Sequence, residues 1–432
     1  MQRIVALGGD ISCLTKIQQM NFDEYCDHDF KYYYPDAQEG DHYSSLLLTE
    51  TFALFNDKST TLRSKLKFSY DISKNIGKSK SFRIQIKSLI LGTYRVRSLE
   101  SLIYFSRYFF KFSNFLTIVF SLFGILRVPE TIIIKMLKFR YSRHVGFEKL
   151  IDEINPNLIL LVSSGYDSMF FLLSLIKNKA SYLLVINNWD NPSSKALIPK
   201  KFEFVALWNY EQVSQVIKIS KKQANKLTVL GSTTSDFAHN KYANKINLKY
   251  NQSSNALLYI GQQNKYDEIA DVLRIANLIK TEKTPYSKLT YRPHPLSLNK
   301  LKRIASNLKS LENVEISTSH DLNLNEYQGI ISLPTTLLLE VVLSKVPAIV
   351  YLPSNRLYRK DPRTMWNYKH FDNFKSLDSL KVIPNFSELK IAIKNGIPPQ
   401  ITPPTEVFQD IFPKFTENYT FRLKLLIENI LK

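Results

Sequence analysis

Two stretches decide the fold, Leu289-Thr-Tyr-Arg-Pro-His-Pro-Leu296 and Leu333-Pro-Thr-Thr-Leu-Leu-Leu-Glu340. The first begins with β-branched and aromatic residues, which favour a strand. Pro293 and Pro295 stop that strand, because proline cannot donate to a sheet ladder. The pattern therefore predicts a short strand with His294 at its carboxyl end.

The second stretch follows Gly329-Ile-Ile-Ser332 and precedes Val346-Pro-Ala-Ile-Val-Tyr351. It predicts a strand, a tight turn at Pro334, a helix whose first turn carries Thr335 and Thr336, and then a further strand. Strands that alternate with helices in this way are typical of a parallel sheet.

Both stretches predict polar groups at the carboxyl ends of parallel strands, where open α/β sheets bind ligands. Backbone N–H groups, two hydroxyls, an imidazole and the positive end of a helix dipole suit a phosphate group. Each element also has a purely structural interpretation: a histidine in a turn is often structural, and paired threonines often cap a helix. Their order along the chain favours a phosphate site.

The composition limits the alternatives. A chain of 432 residues, 44% of them hydrophobic, is long enough for two α/β domains. Its two cysteines, Cys13 and Cys26, cannot build a disulfide framework, so we expect a reducing compartment. The apolar run at the N-terminus is too short for a signal-peptide core and predicts a first strand, so export is not indicated.

The net charge of +20 is concentrated in one segment. Residues 57–145 contain 18 Lys or Arg against 4 Asp or Glu, a balance of +14, whereas residues 1–56 have a balance of −6. The segment includes the apolar run Phe115–Leu126, which is too short for the roughly 20 residues of a spanning helix. A basic, aromatic-rich helical insert fits the surface of an anionic inner membrane. A buried helix pair with a solvated basic face remains equally open.

Two halves with the same α/β pattern flank a polar linker between Asp236 and Ser254. We predict an N-terminal domain at 1–240 with the insert at about 57–145, a C-terminal domain at 254–375, and a helical segment at 376–432 that packs back on the first domain. The first half has strands at Asn157–Val162, Tyr182–Ile186, Phe204–Leu207 and Leu227–Leu230 and helices at Ser168–Lys179 and Glu211–Ile217. The second has strands at Ala256–Ile260 and Val314–Ile316 and helices at Tyr266–Lys280 and Leu298–Leu308.

This arrangement resembles the GT-B glycosyltransferases, in which two Rossmann-like domains face a cleft. Four segments resemble bacterial surface-polysaccharide transferases, the broad group with CDP-glycerol glycerophosphotransferases and His-Pro-motif sialyltransferases. They are Asn188-Trp-Asp-Asn-Pro-Ser-Ser-Lys195, Val229-Leu-Gly-Ser-Thr-Thr-Ser-Asp-Phe237 and the Arg-Pro-His-Pro and Pro-Thr-Thr motifs. One departure is Ser344-Lys-Val-Pro347, where such families have Gly-Lys-Pro.

The resemblance implies roles for the donor-side residues. His294 would contact the donor phosphate, Thr335 and Thr336 would bind phosphate oxygens, and Glu340 would face the ribose or sugar. Arg292 is the second cation, or it forms a salt bridge with a neighbouring helix. No Asp-x-Asp motif lies in a suitable place, so we expect no metal and no cofactor besides the nucleotide-activated substrate.

The acceptor side is predicted at the loop Trp189-Asp190-Asn191, which follows a strand of the first domain. Asp190 is our candidate general base, since partial screening by Trp189 would raise the pKa of its carboxyl toward neutrality. Asp190 equally suits a structural cap of the following turn. Gly165 would let the backbone approach a substrate closely, or it is simply a turn glycine.

These arguments predict a cytoplasmic, peripherally membrane-bound glycosyltransferase that moves a sugar from a nucleotide-sugar donor to a lipid-linked or polysaccharide acceptor. A CDP-polyol phosphotransferase and a nucleotide-sugar epimerase share the predicted pocket and remain alternatives. A nucleic-acid-binding protein would explain the charge, but the sequence contains no nucleic-acid-binding motif with stacking aromatics, so we expect no nucleic-acid partner.

Overall fold

The computed structural model describes part of the chain in detail. The described residues are 3–8, 29–33, 151–163, 173, 178–186, 188–189, 198–199, 201–220, 222–238, 241–242, 255–262, 268–294, 308, 311–318, 322–353, 362–367, 369–376, 380–401 and 405–432. The insert at 57–145 and the site candidates Gly165, Asp190 and Asn191 lie outside them, as do most of the helices predicted at Ser168–Lys179 and Leu298–Leu308.

The chain forms two compact units. Unit 1 comprises residues 1–232 and 415–432, and unit 2 comprises residues 233–414. The sequence predicts that residues 376–432 pack back on the first domain, whereas residues 376–414 belong to unit 2 and residues 415–432 to unit 1. The reason is that residues 381–383 add a strand to the sheet of unit 2.

The sheet of unit 1 has six parallel strands in the order β2-β1-β3-β4-β5-β6. The strands are β1 (Arg3–Gly8), β2 (Asp29–Tyr33), β3 (Leu158–Ser163), β4 (Ser181–Ile186), β5 (Phe204–Leu207) and β6 (Leu227–Val229). Strand β3 reads Leu-Ile-Leu-Leu-Val-Ser and is buried throughout, as expected for a parallel strand covered on both faces.

Helices cover the sheet of unit 1. The described ones are α1 (Tyr210–Ser220), the 3₁₀ turn Ala224–Lys226 and, at the end of the chain, α9 (Tyr419–Leu431). Leu423 and Ile427 of α9 pack on the face formed by Ile4, Leu160 and their neighbours. Arg422 also donates from Nε and Nη2 to the carbonyl of Leu230, at 2.9 and 2.6 Å. The last helix is therefore part of the core of unit 1.

The sheet of unit 2 also has six parallel strands, in the order β12-β11-β10-β7-β8-β9. They are β7 (Ala256–Ile260), β8 (Lys288–Arg292), β9 (Val314–Ile316), β10 (Gly329–Ser332), β11 (Ala348–Tyr351) and β12 (Lys381–Ile383). Counted from β7, this is the Rossmann strand order 3-2-1-4-5-6. The direction of winding reverses between β7 and β10, which places the topological switch point there.

The helices of unit 2 bury the sheet. They are α2 (Thr233–Ala238), α3 (Glu268–Thr281), α4 (Leu338–Ser344), α5 (Pro362–Trp366), α6 (Asp372–Ser376), α7 (Phe386–Asn395) and α8 (Thr405–Ile411), with 3₁₀ turns at Leu324–Glu326 and Lys369–Phe371. Val272, Ile275 and Ile279 of α3 recur at helical spacing and pack on Leu257 and Tyr259 of the central strand. In the part of the chain that is described, no helix is both long enough and apolar enough to cross a membrane.

Candidate functional site

Three segments lie side by side at the carboxyl ends of the central strands of unit 2. The backbone N–H of Gly261, after β7, donates to the carbonyl of Arg292 at the end of β8 (2.9 Å). The backbone N–H of Leu333, after β10, donates to the carbonyl of Ile260 at the end of β7 (3.1 Å). Both motifs that the sequence singled out therefore meet at the switch point, with Gly261-Gln262 between them.

Arg292 is the electrostatic centre of this edge. Its side chain is half-buried, and burial lowers the pKa of the guanidinium, while the charge of Glu340 and the hydroxyls of Tyr242 and Tyr327 raise it. A guanidinium still stays protonated at neutral pH. The structure therefore places Glu340 within electrostatic range of Arg292. It also leaves the Nε of Arg292 buried without a hydrogen-bond partner among the described residues.

His294 lies next to this cation. Its pKa is lowered from 6.5, first by burial and then by the positive charge of Arg292. The imidazole is consequently neutral at physiological pH. It becomes a stronger donor when an anion approaches, because a negative charge offsets both causes of the lowered pKa.

Tyr327 and Tyr242 lie near Arg292 and form hydrogen bonds around the candidate site. Burial raises the pKa of the Tyr327 hydroxyl, and a hydrogen bond with Thr290 of β8 opposes this shift. The Tyr242 hydroxyl donates to the carbonyl of Leu322 (3.1 Å) and accepts from the N–H of Leu324 (3.4 Å). Tyr327 thus links the segment before β10 to β8, and Tyr242 binds the same segment at Leu322 and Leu324. The sequence alone did not identify either tyrosine.

The two threonines precede the helix and do not lie in its first turn. We expected them in the first turn of a helix, but α4 begins at Leu338 and has only seven residues. The N–H groups of Leu338 and Leu339 donate to the carbonyls of Thr335 and Thr336, both at 3.1 Å. The Thr335 hydroxyl accepts from the N–H of Leu337 (3.4 Å), an alternative to helical bonding that threonine side chains offer.

The threonines therefore belong to a tight turn, and a helix dipole contributes less than the prediction assumed. Thr335 is half-buried and Thr336 is exposed. Glu340 lies in the first turn of α4 and is half-buried. Turn N–H groups and hydroxyls are thus the groups that this segment offers to a ligand.

The loop after β7 contains residues that the sequence did not single out. Gln262 is only 2% exposed. Its backbone N–H donates to Oε2 of the buried Glu268 (3.2 Å), and the Tyr291 hydroxyl donates to Oε1 of the same carboxylate (2.6 Å). A Cβ on Gly261 would lie 2.5 Å from that carboxylate, so any other residue would have to displace the Glu268 side chain from these hydrogen bonds. The signal that could have found this loop is its position directly after the first strand of the unit.

In unit 1, Trp189 is the described residue of the predicted acceptor loop, and it is buried. Trp189 is 1% exposed, so its indole has no surface for an acceptor in this structure, contrary to the role we gave it. The reason is a clamp by Gln212 of α1, which donates from Nε2 to the carbonyls of Trp189 (2.7 Å) and Asn188 (3.3 Å). Trp189 is therefore an interior residue of unit 1.

Within the described part of the chain, no group of three or more His, Cys, Asp or Glu side chains lies close enough to hold a metal ion. The described polar residues of the edge after β7, β8 and β10 include hydrogen-bond donors, the guanidinium of Arg292 and the carboxylates of Glu268 and Glu340.

Comparison with solved structures identifies the fold. MnaA of S. aureus, solved with UDP, is 12% identical and superposes with a TM-score of 0.50, covering 100% of this chain and 97% of that protein. The fold is of the GT-B type, with two Rossmann-like units. UDP-GlcNAc 2-epimerase from Neisseria meningitidis, solved with UDP-GlcNAc, is 11% identical, with a TM-score of 0.48 over 99% of both chains. The lipopolysaccharide outer core galactosyltransferase WaaB is 10% identical, with a TM-score of 0.42 over 99% of both chains.

No protein-family model matches this chain, and comparison with curated protein sequences gives no match.

Proposed function

We propose that unit 2 binds the phosphate-bearing part of a nucleotide-activated sugar and that the chain transfers the sugar to an acceptor hydroxyl. The observation that supports the proposal is that the segments carrying Arg292 with His294 and Thr335 with Thr336 follow strands ending at the same edge of a Rossmann-type sheet, on either side of β7. Ligands of such sheets bind at this edge. The UDP bound to MnaA, whose fold is similar, makes UDP the first nucleotide to test.

The chemistry needs these groups. In the transfer, the acceptor oxygen bonds to the anomeric carbon of the sugar, and the bond from that carbon to the phosphate oxygen breaks. The electron pair leaves with the nucleotide, so negative charge develops on the phosphate. Donors that are already oriented toward this charge stabilise the transition state more than the bound substrate. Arg292 supplies a positive charge, and His294 and the threonines supply N–H and O–H donors.

Glu340 orients Arg292 in this scheme. Its carboxylate interacts electrostatically with the guanidinium, and α4 holds it in the first helical turn. A carboxylate cannot itself bind phosphate, so its other use is to accept from a hydroxyl of the ribose or sugar. We assign that contact to Glu340.

The acceptor proton goes to a general base, which we assign to Asp190. The sequence carries this assignment, since the residue lies outside the described ranges. The Gln212 clamp fixes the neighbouring Asn188 and Trp189, and a fixed backbone is what a positioned base requires. Asn191 and Gly165 remain acceptor-side candidates on the same terms.

We further propose a lipid-linked or polysaccharide acceptor of the bacterial cell surface, with the basic insert docking the enzyme on the anionic inner leaflet. Each Lys or Arg near such a surface contributes about 1 kcal/mol. Sedimentation with anionic vesicles should be strong at low salt, and should fall at high salt and when Phe115, Phe120 and Phe123 are replaced by Ser. Equal recovery with anionic and neutral vesicles would instead indicate a buried insert and a soluble acceptor.

A thermal-shift panel of CMP, CDP, UDP and GDP tests the proposed donor site. A nucleotide at a hundred times its dissociation constant stabilises the folded protein by roughly 2.7 kcal/mol, which raises the melting temperature measurably. Arg292→Met and His294→Ala should lose this shift for the preferred nucleotide. The matched control is Lys288→Met, which removes an exposed cation at the other end of β8, where Lys288 pairs with Glu315. Equal shifts in all three variants and the wild type would refute the site.

Product analysis separates the alternatives that share the pocket. Sugar transfer requires an acceptor, whereas a nucleotide-sugar epimerase converts its substrate without one. A polyol phosphotransferase consumes CDP-glycerol or CDP-ribitol and releases CMP. Turnover of a nucleotide sugar in the absence of any acceptor would therefore replace the transferase proposal by epimerisation.

A further inference from the structure

Gln262 stands out among the buried side chains of unit 2. It is 2% exposed, and neither its Nε2 nor its Oε1 has a hydrogen-bond partner within the described residues. A buried polar atom without a partner costs free energy, so such atoms are rare in folded proteins and point to a further role. Here two of them occur on one side chain.

The position of Gln262 indicates that this role is ligand binding. It follows β7, directly at the switch point, and the preceding Gly261 is hydrogen-bonded to Arg292. The Nε of Arg292 is likewise buried without a partner in the described part of the chain. Two adjacent segments of the candidate site thus carry two orphaned donor groups and one orphaned acceptor.

This set of groups selects the chemistry of the ligand. A phosphate oxygen only accepts, so it could pair with the Gln262 Nε2 and the Arg292 Nε but would leave the Gln262 Oε1 without a donor. A hydroxyl group both donates and accepts, and it can satisfy the amide oxygen and an N–H donor at once. The orphaned set is therefore complementary to a hydroxyl beside a phosphate.

We propose that Gln262, together with the Arg292 side chain, binds a hydroxyl group of the phosphate-linked sugar of the ligand. The inference rests on the function proposed above and adds a specificity-determining residue to it. The amide atoms of Gln262 are covered in the structure, so the contact requires a change of rotamer. That change breaks no side-chain hydrogen bond to a described residue, and the new contact relieves two unsatisfied atoms.

Contacts with Glu268 fix the main chain of this loop, so the Gln262 side chain can change rotamer without a movement of the backbone. Glu268 accepts from the Gln262 N–H and from the Tyr291 hydroxyl, and it packs against Gly261 where a Cβ would clash. The loop therefore has a fixed main chain and one unbonded side-chain amide, which is the arrangement expected of a recognition residue.

Replacement of Gln262 by Met tests the proposal, because Met keeps the length of the side chain and removes its donors and acceptor. Isothermal titration of the full chain would use UDP, its 2′,3′-dideoxy analogue and UDP-glucose, or the same series on whichever base the panel selects. Loss of one hydrogen-bonded hydroxyl should weaken binding about tenfold. The melting temperature without nucleotide should stay the same or rise, since unsatisfied buried atoms are removed.

The ligands distinguish the two sources of the hydroxyl. A ribose contact predicts that Gln262→Met weakens UDP but not the dideoxy analogue. A contact with the transferred sugar predicts unchanged UDP affinity and weaker UDP-glucose. Gln262→Glu, which keeps an acceptor and the shape but loses the donor, should weaken the same ligand as Gln262→Met.

Gln328→Met is the matched control, because the Oε1 of Gln328 is also orphaned but the residue precedes β10, at the opposite edge of the sheet. Its nucleotide affinities should equal those of the wild type. Unchanged affinity for all three ligands in Gln262→Met, with the wild type still binding them, would overturn this inference and leave the proposed function standing. Absence of nucleotide binding in the wild type would overturn both.

Discussion

Two buried glutamines at the carboxyl edges of the two sheets behave in opposite ways. Gln212 in unit 1 is 1% exposed and Gln262 in unit 2 is 2% exposed. Gln212 accepts from the N–H of Trp208 (2.7 Å) and donates to two carbonyls of the neighbouring loop. Gln262 has no side-chain partner among the described residues.

The difference shows that burial alone does not reveal the role of a polar side chain. Gln212 uses both ends of its side-chain amide: the oxygen accepts from Trp208, and the nitrogen donates to the loop carbonyls of Asn188 and Trp189. Gln262 lies at an edge where, among the described residues, its own side-chain amide and the Nε of Arg292 on the neighbouring segment have no hydrogen-bond partner. We therefore infer a structural role for the satisfied amide of Gln212, and a recognition role for Gln262 from two unsatisfied amide atoms combined with its place at the switch point.

The largest expected effect separates catalysis, which we assign to unit 1, from donor binding, which we assign to unit 2. If unit 1 supplies the base and unit 2 binds the donor, Asp190→Asn should reduce kcat about a hundredfold or more, because a general base acts in the transition state. Donor affinity by titration should stay within about twofold. Wild-type turnover in this variant would make Asp190 a structural cap.

The next largest effect is a loss of stability when Gln212 is replaced. Gln212→Met leaves the Trp208 N–H and the Trp189 carbonyl without their partner, so the free energy of unfolding should fall by about 2 to 3 kcal/mol in urea denaturation. Gln262→Met under the same conditions should show no loss. Equal losses in the two variants would erase the distinction between the two glutamines.

Removal of the hydroxyls of the turn before α4 should have a comparable or smaller effect on binding. Thr335→Val with Thr336→Val keeps the side-chain volume, and nucleotide affinity should weaken by about 1 to 3 kcal/mol if charge-assisted hydrogen bonds are lost. Thr281→Val, at the end of α3, is the control, since its hydroxyl only donates to the carbonyl of Asn277. Unchanged affinity in the double variant would restrict the threonines to a structural turn.

The smallest effect is a pH dependence. Burial and Arg292 lower the pKa of His294 in the structure, whereas a bound phosphate would raise it, so binding takes up a proton. Affinity for UDP-glucose should then rise as the pH falls through the pKa of the complex and level off below the lowered pKa of the free protein. The slope cannot exceed about tenfold per pH unit. Titrations with His294→Gln should lose this dependence, and an unchanged slope in that variant would assign it to another group.

The strands were predictable because local patterns determine them. Phe204–Leu207 and Ala256–Ile260 have the predicted bounds, and the apolar run at Leu158–Ser163 differs by one residue at each end. The shared edge of the Arg292 segment and the threonine turn also followed from strand order, since the carboxyl ends of parallel strands lie on one side of the sheet.

The remainder depends on contacts between distant residues. Thr335 and Thr336 have the composition of a helix start, but i to i+3 bonding with Leu338 and Leu339 delays α4. Trp189 looked like a cleft residue, and only the clamp from Gln212, 23 residues later, makes it interior. Gln262 carries no local signal at all, because the absence of a partner is a property of the folded surroundings.

Gly261 has a consequence for recognising relatives. It does not adopt a positive φ; glycine is favoured there by the Glu268 carboxylate, which occupies the place of a Cβ, and not by a backbone torsion. Since Gly261 leaves room for that carboxylate and Tyr291 donates to it, positions 261, 268 and 291 should change together, while Gln262 joins them through its backbone N–H. A buried strand followed by Gly-Gln, five residues, Glu, and a Tyr in the next strand is therefore a sequence signature that could find proteins with this loop where overall identity is as low as 12%.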